Sequence, residues 1–330
     1  MNTEMNTGYN RIKSDSSISI KLQNLLKAGY DNAAKSKNIV IPDDIPCGDM
    51  PGDKVNICAG HIEKARVIFP SLIKELVYVT STNPYGRAVV SVYGGSGAGK
   101  SGAAAVLSYL LRQAGIGSYT MSGDNYPRRI PKYNDAERLH IFRQGGMKAL
   151  AAMKASTPDV INKIRELQKN DDDVNQSHIN EYDWFEQYIR GGSEELRKYL
   201  CTPAECDFEE VDSILKAFLD GADKLWLKRM GRDEASLWYE EIDMSDTRVL
   251  MLEWTHGNSE YLKNVDIPIL LNSTPEETLQ YRLSRNRDGK TDSPFTTLVL
   301  NIEQDKLMEQ THKAKIIVTK SGELIDYENM

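Results

Sequence analysis

VVSVYGGSGAGKSGAAA, residues 89–105, joins a β-branched run to an alanine-rich one through a glycine turn. Arg87 to Tyr93 has the apolar, branched character of a buried parallel strand, and Ser101 to Ala114 reads as a helix rich in Ala and Leu. Between them Gly94, Gly95, Ser96, Gly97, Ala98, Gly99, Lys100 and Ser101 satisfy G-x-x-x-x-G-K-[ST] in its proper strand-and-helix context. Glycines let the backbone wrap closely round a polyphosphate with its N–H groups inward, and the following helix offers its positive dipole end to the same anion. These eight residues form the expected nucleotide cradle, with Lys100 bridging the β- and γ-phosphates and Ser101 holding Mg2+. The pattern does not say what becomes of the triphosphate, because GTPases, motors, transporter ATPases and small-molecule kinases share it.

Outward from this unit, strand and helix signals alternate. GSYTMS, ending at Gly123-Asp124, reads as a second strand, and residues from about 134 to 220 turn helical with a polar break at NDDDVNQSH. KLWLKRM and SLWYEEIDM suggest a hairpin, RVLMLEW and DIPILLN are apolar strands, a charged helix begins near Pro275, and KIIVTK with SGELI forms a last hairpin. The alternation predicts a three-layer α/β/α P-loop NTPase fold with a mostly parallel sheet and a long helical insertion. Residues 1–85 read as a partly helical N-terminal extension to a domain over 86–330. In HIEKARVIFPSLIKELVYV, Pro70 is expected to start a second helix or kink the first.

Composition narrows the partners. The 330-residue chain is 40% hydrophobic and 27% charged with a formal net charge of −7, a soluble balance that argues against general affinity for nucleic acid or anionic membrane. Its four cysteines lack zinc-knuckle spacing, and no apolar run approaches a membrane span, so a cytoplasmic protein with free thiols is expected. The sequence leaves homo-oligomerisation open.

The residues that would act on the phosphate lie elsewhere in the chain. In an open α/β sheet, the carboxyl ends of neighbouring strands meet at one crevice, which places Asp124 beside the cradle. There it can take the proton of an attacking hydroxyl or order a metal-bound water. The following Asn125, Tyr126, Arg128, Arg129 and Lys132 are candidate contacts for the acceptor, with Arg138 and Arg143 further along and better suited to a solvated helix face. Because Arg forks suit phosphate, sulfate or carboxylate, an anionic acceptor is expected. Glu253 closes RVLMLEW where a Mg2+-serving carboxylate belongs, and the nearby His256 is a candidate substrate contact. Arg282, Arg285 and Arg287, just before a Gly/Thr/Asp/Ser/Pro loop, look like a lid over about 282–296 that neutralises charge on the transferring group.

With these residues in place the chain resembles the phosphoribulokinase and uridine kinase family of P-loop small-molecule kinases. The resemblance runs through most of 87–310. It is carried by GGSGAGKS, SGDNY, CDFEEVDSILKAFLDGADKLWLKRM, VLMLEWTHG and RLSRNRDG. It implies an ATP-dependent, Mg2+-requiring transfer to a small-molecule hydroxyl on a sugar phosphate, nucleoside or hydroxy acid. In that family the residue matching Asp124 is the catalytic base, that matching Glu253 serves metal and acceptor, and lid arginines such as Arg285 and Arg287 contact ATP. The chain departs from the family in inserting Trp-Thr-His before Gly257, in its longer helical insertion, and in residues 1–85. SGAGKS with GDN also resembles adenylylsulfate kinase, where Asp and Asn face the acceptor. A non-catalytic ATP-binding regulatory module is the alternative from a different class.

Overall fold

The structure, a computed structural model, describes residues 20–21, 24, 40–42, 44–52, 56–231, 236–285 and 293–329. Among the described residues eight strands follow in chain order: β1 (Ala88–Tyr93), β2 (Ser118–Ser122), β3 (Lys224–Met230), β4 (Leu237–Asp243), β5 (Val249–Glu253), β6 (Ile267–Leu271), β7 (Ile316–Val318) and β8 (Leu324–Ile325). Six of them form one sheet in the order β2-β5-β1-β6-β7-β8, parallel except for the antiparallel β8 at its edge. β3 and β4 pair separately as the antiparallel hairpin expected from KLWLKRM and SLWYEEIDM.

Alternate strand residues face opposite layers, because side chains along a strand point to opposite faces. Val90, Val92 and Met251 pack in one buried cluster with helices α1 (Ala59–Thr82) and α2 (Lys100–Gln113). Val89, Leu250 and Leu252 pack on the other side, against a helix spanning Phe208–Leu219. The result is the three-layer α/β/α fold expected from the alternation of strands and helices.

The helix α1 corrects one expectation. Pro70 does not start a second helix, and Ala59–Thr82 is a single element with the proline inside it. A proline in a helix interior costs about 3 kcal/mol, since it lacks an N–H and crowds the preceding turn. Ile68, Leu72 and Leu76, on both sides of Pro70, have no exposed surface. At about 1.5–3 kcal/mol for each large apolar side chain buried, they outweigh that cost together.

The insertion consists of α3 (Pro131–Ala152), α4 (Pro158–Lys169), α5 (Phe185–Tyr199) and α6 (Phe208–Leu219). α3 crosses α5 at two glycine pairs, Gly145-Gly146 and Gly191-Gly192. A Cβ on Gly145 would come within 2.5 Å of the Gly191 carbonyl oxygen, and one on Gly192 within 2.6 Å of the Phe142 ring. The bare backbones thus let two helices meet more closely than side chains allow. Their common core also takes in Val299 and Ile302 of α8 (Pro294–Glu309), which joins the insertion to the sheet domain. α7 (Pro275–Arg285) precedes the expected lid, most of whose loop, with Arg287, lies outside the described residues. No helix among the described residues is long and apolar enough to cross a membrane.

Candidate active site

Register brings the site together. Glu253 is paired with Val92 on one side and Ser122 on the other, so the ends of β1, β2 and β5 lie level, with the glycine loop and Asp124 immediately beyond them. In the loop Gly97 and Gly99 take φ values of 81° and 91°, a left-handed backbone open to glycine, and α2 starts at Lys100. Gly99 is the N-cap of α2 and supplies no side-chain cap, which leaves the first-turn N–H groups directed at the loop's hollow.

Glu253 is 5% exposed. Ser101 donates its hydroxyl to Glu253 Oε1 at 3.0 Å and Ser122 donates to Oε2 at 3.2 Å. Lys100 Nζ donates to the Gly95 carbonyl at 3.1 Å, folded over the loop. Burial, and after it the Asp124 charge, raise the Glu253 carboxyl above the ordinary carboxylate range, against the pull of Lys100 and its two hydroxyl donors. Asp124, by contrast, is exposed in the short 3-10 turn Gly123–Asn125. The sequence-predicted group of Lys100, Ser101, Asp124 and Glu253 therefore converges: two carboxylates of unequal exposure, one hydroxyl and one ammonium at the mouth of a phosphate cradle.

The cradle is held from behind by a residue that sequence reasoning missed. Lys64 of α1, 8% exposed, donates Nζ to the Ala98 carbonyl at 3.2 Å. Burial, then Lys320, lower its pKa. On the open side, Arg282 of α7 donates to Pro275 O and Thr278 Oγ1, both at 2.6 Å, and lines a cleft with Gly95, Ser96, Thr255, Glu303 and Gln304. Arg285 ends α7, and its side chain lies outside the described residues, as Arg287 does entirely.

Several expected acceptor contacts take other roles. Asn125 has no exposed surface; its amide donates to Asp49 Oδ1 at 2.9 Å and Ser122 O at 3.3 Å, and accepts from Met230 N at 3.0 Å. Tyr126, equally buried, accepts from Lys228 N at 3.2 Å. Both side chains knit β2 to the β3-β4 hairpin instead of facing the crevice, which removes the Asn contact on which the likeness to adenylylsulfate kinase turned. Asp49 is the hub of that framework. It also accepts from Ser122 N at 2.8 Å and pairs with Arg229 at 2.9 Å.

The arginines after Asp124 are likewise engaged. Arg128 pairs with Asp207 at 2.9 Å and donates to Pro203 O, while Arg129 donates to Tyr199 Oη at 3.0 Å and pairs with Glu137 at 3.4 Å. They brace the insertion, and the anion pocket expected at Asp124 is not built from them. Lys132 is exposed in the first turn of α3. Arg143 is bound to Asp173 at 2.7 Å.

Arg138 sits differently from its neighbours. It lies between Glu205 (2.6 Å) and Glu303 of α8 (3.1 Å), tying the insertion to the site. Burial alone would raise Glu205, but Arg138 holds it below its usual value. Glu303 is raised by burial, with Arg138 opposing and Glu205 adding to the effect. His256 stands close by, driven by burial down to about 4 and so neutral at physiological pH. Cys201, Glu205 and His256 bring ligand-type atoms within 4.8 Å of one another. The Glu205 oxygens, however, already accept from Arg138, Asn134 and the Cys201 N–H. Trp254, part of the Trp-Thr-His insertion, packs its ring on Gly123 and fixes the end of β5 against the turn bearing Asp124.

No protein-family model matches the chain. Over 244 residues it is 36% identical to the bifunctional alpha-galactosidase/sucrose kinase AgaSK of Mediterraneibacter gnavus. The match covers 74% of this chain and only 21% of that protein's length. Among solved structures, phosphoribulokinase from Rhodobacter spheroides aligns with 71% of this chain and 70% of its own, at 15% identity and a TM-score of 0.41. D-glycerate 3-kinase from Cryptococcus neoformans var. grubii aligns with 79% of this chain and 97% of its own, at 11% identity and a TM-score of 0.43.

Proposed function

We propose that the chain is an ATP- and Mg2+-dependent kinase that transfers the γ-phosphoryl group to a hydroxyl of a small molecule, and that this acceptor is a sugar. The observation that carries the reading is the pair Asp124 and Glu253, one exposed and one buried, at adjacent strand ends beside Ser101 and Lys100. A hydrolytic switch needs no second carboxylate open to an acceptor, whereas a kinase does. The sugar is suggested by the sucrose kinase in the name of the 36% identical relative.

Each group then has a task. The loop N–H groups and Lys100 bind the phosphates and neutralise charge as it shifts toward the leaving oxygen. Ser101 and Glu253 are the residues that would hold Mg2+, which would supply positive charge to offset that of the phosphates. Asp124 accepts the proton as the hydroxyl oxygen forms its bond to phosphorus and the bond to the ADP oxygen breaks. Arg282, held beside Gly95 and Ser96 by its bonds to Pro275 O and Thr278 Oγ1, is the described lid arginine offered to the donor.

The test is to incubate the purified chain with Mg-ATP and a panel of sugars, following ADP release and the phosphorylated product. Asp124→Asn is expected to lower kcat by about 10²–10⁴-fold, as loss of a general base does, with ATP affinity little changed. ATP binding without transfer to any sugar or other hydroxyl compound in the panel would refute the reading.

A further inference from the structure

Next to the phosphate cleft is a second cavity, lined among others by Tyr93, Thr255, His256, Tyr261, Glu303 and Lys306. The two cavities share Thr255 and Glu303, so this space adjoins the cleft at the loop residues Gly95 and Ser96. No motif marks it. Its sides are the segment after β5 and the last turns of α8, far apart in sequence.

The wall is rich in acceptors. Glu260, Glu303 and Glu309 stand around the ammonium of Lys306, whose Nζ already donates to the Leu200 carbonyl at 2.6 Å, while Arg138 pairs with Glu303 and Arg197 with Glu309. Gln310, also on the wall, has a buried Oε1 with no hydrogen-bond partner among the described residues. A buried carbonyl oxygen without a donor is costly, and a ligand O–H relieves it. Tyr261, 38% exposed, offers an aromatic face, backed by Phe208 at a ring separation of 5.2 Å. Apolar ring faces beside a few convergent polar groups are the ordinary make-up of a small-ligand pocket.

Resting on the kinase reading above, we propose that this cavity is the acceptor subsite and that it takes an uncharged polyol, a sugar bearing no phosphate. Sugar hydroxyls donate to Glu303 and Gln310 and accept from Lys306, and a C–H face of the ring lies on Tyr261. A phosphate or carboxylate substituent has only acceptors to offer to a wall of carboxylates. Like charges brought together in this way select against the wrong ligand. The Arg138 guanidinium does not reverse this preference, because Glu205 and Glu303 both engage it. Arg138 is a positioning residue that orients Glu303.

The test uses the full chain with Mg2+ and a non-hydrolysable ATP analogue, titrated calorimetrically with sucrose, glucose and fructose 6-phosphate. Sucrose or glucose is expected to bind at least about 100-fold more tightly than fructose 6-phosphate. Glu303→Gln and Tyr261→Ala should each weaken neutral-sugar binding by about 10-fold or more, and Tyr261→Ala, at a residue that does not line the phosphate cleft, should leave affinity for the ATP analogue unchanged. Tyr261→Ala alters an exposed residue and serves if Glu303→Gln unfolds the Arg138 cluster. Equal or tighter binding of the phosphosugar, no sugar binding at all, or neutral-sugar binding indifferent to Tyr261→Ala would overturn the subsite. Turnover measured in parallel separates the two readings. Phosphorylation unaffected by Tyr261→Ala leaves the kinase standing without this pocket; saturable sugar binding lost in Tyr261→Ala, with no turnover, leaves the pocket standing without the kinase.

Discussion

The donor and acceptor halves of the site are built by different means. The donor half comes from one contiguous loop, 94–101, and the level ends of three strands, and its geometry follows from backbone: left-handed glycines, a helix start, a parallel register. The acceptor half is assembled by side-chain ion pairing. Arg138 joins Glu205 and Glu303, partners 67 and 165 residues away in sequence, and so draws the insertion and α8 to one point. A backbone-defined site tolerates little variation in chemistry, whereas a side-chain-defined one can change ligand by exchanging a few residues.

The sharpest way to break that contrast is to remove charge from the donor half. Lys100→Met leaves the loop backbone in place but takes away the cation that follows the migrating charge. Loss of comparable electrostatic groups costs about 10²–10³-fold in kcat, so at least that fall is expected in a sugar-phosphorylation assay. A residue of the acceptor half should act mainly on the sugar KM instead. If Lys100→Met raised only the sugar KM, the division into halves would be wrong.

A smaller effect should appear in stability. The carboxyl of Glu253 is raised in the folded chain by burial and by Asp124, so the folded state holds its proton to higher pH than the unfolded state does. Stability on this account falls as pH rises from the ordinary carboxylate value through the raised one, since the unfolded chain then binds fewer protons. Glu253→Gln should therefore have a melting temperature a few degrees above the parent at pH 8, with the gap closing near pH 4, as thermal melts across that range would report. Activity moves the opposite way, because the amide is a poor ligand for Mg2+. An unchanged gap at all pH values would mean that the buried carboxyl does not titrate as described.

The same division governs what could be read in advance. The mostly parallel sheet, the hairpins and the convergence of Lys100, Ser101, Asp124 and Glu253 follow from local patterns plus the rule that strand ends meet at one crevice. Glu303 and Lys64 were not legible, because a single Glu or Lys in an amphipathic helix looks like any solvated charge until the fold gives it a partner. Pro70 misled in the opposite direction. Its local preference against helix continuation is real but smaller than the apolar burial on both sides of it. Asn125 stands next to the exposed Asp124 and still faces the core, where its amide is held by Asp49 and Met230 N.

The smallest effect is expected at the most suggestive signal in the sequence, the basic run after Asp124. Arg128 and Arg129 look like an anion clamp when only their charge and position are counted, yet each guanidinium already has protein partners: Asp207 and Pro203 for one, Glu137 and Tyr199 for the other. Exposed ion pairs of this kind are worth about 0–1 kcal/mol, so replacing both residues should barely disturb the fold. In the double variant Arg128→Ala, Arg129→Ala, the KM for a neutral sugar is expected to stay within about 3-fold of the parent and kcat with it, measured by ADP release at saturating ATP. A rise of 10-fold or more would place these arginines in the acceptor half after all and bring back an anionic substrate. Constancy would mean that the insertion reaches the acceptor through Arg138, whose partners converge on the site, while Arg128 and Arg129 have partners that lead away from it.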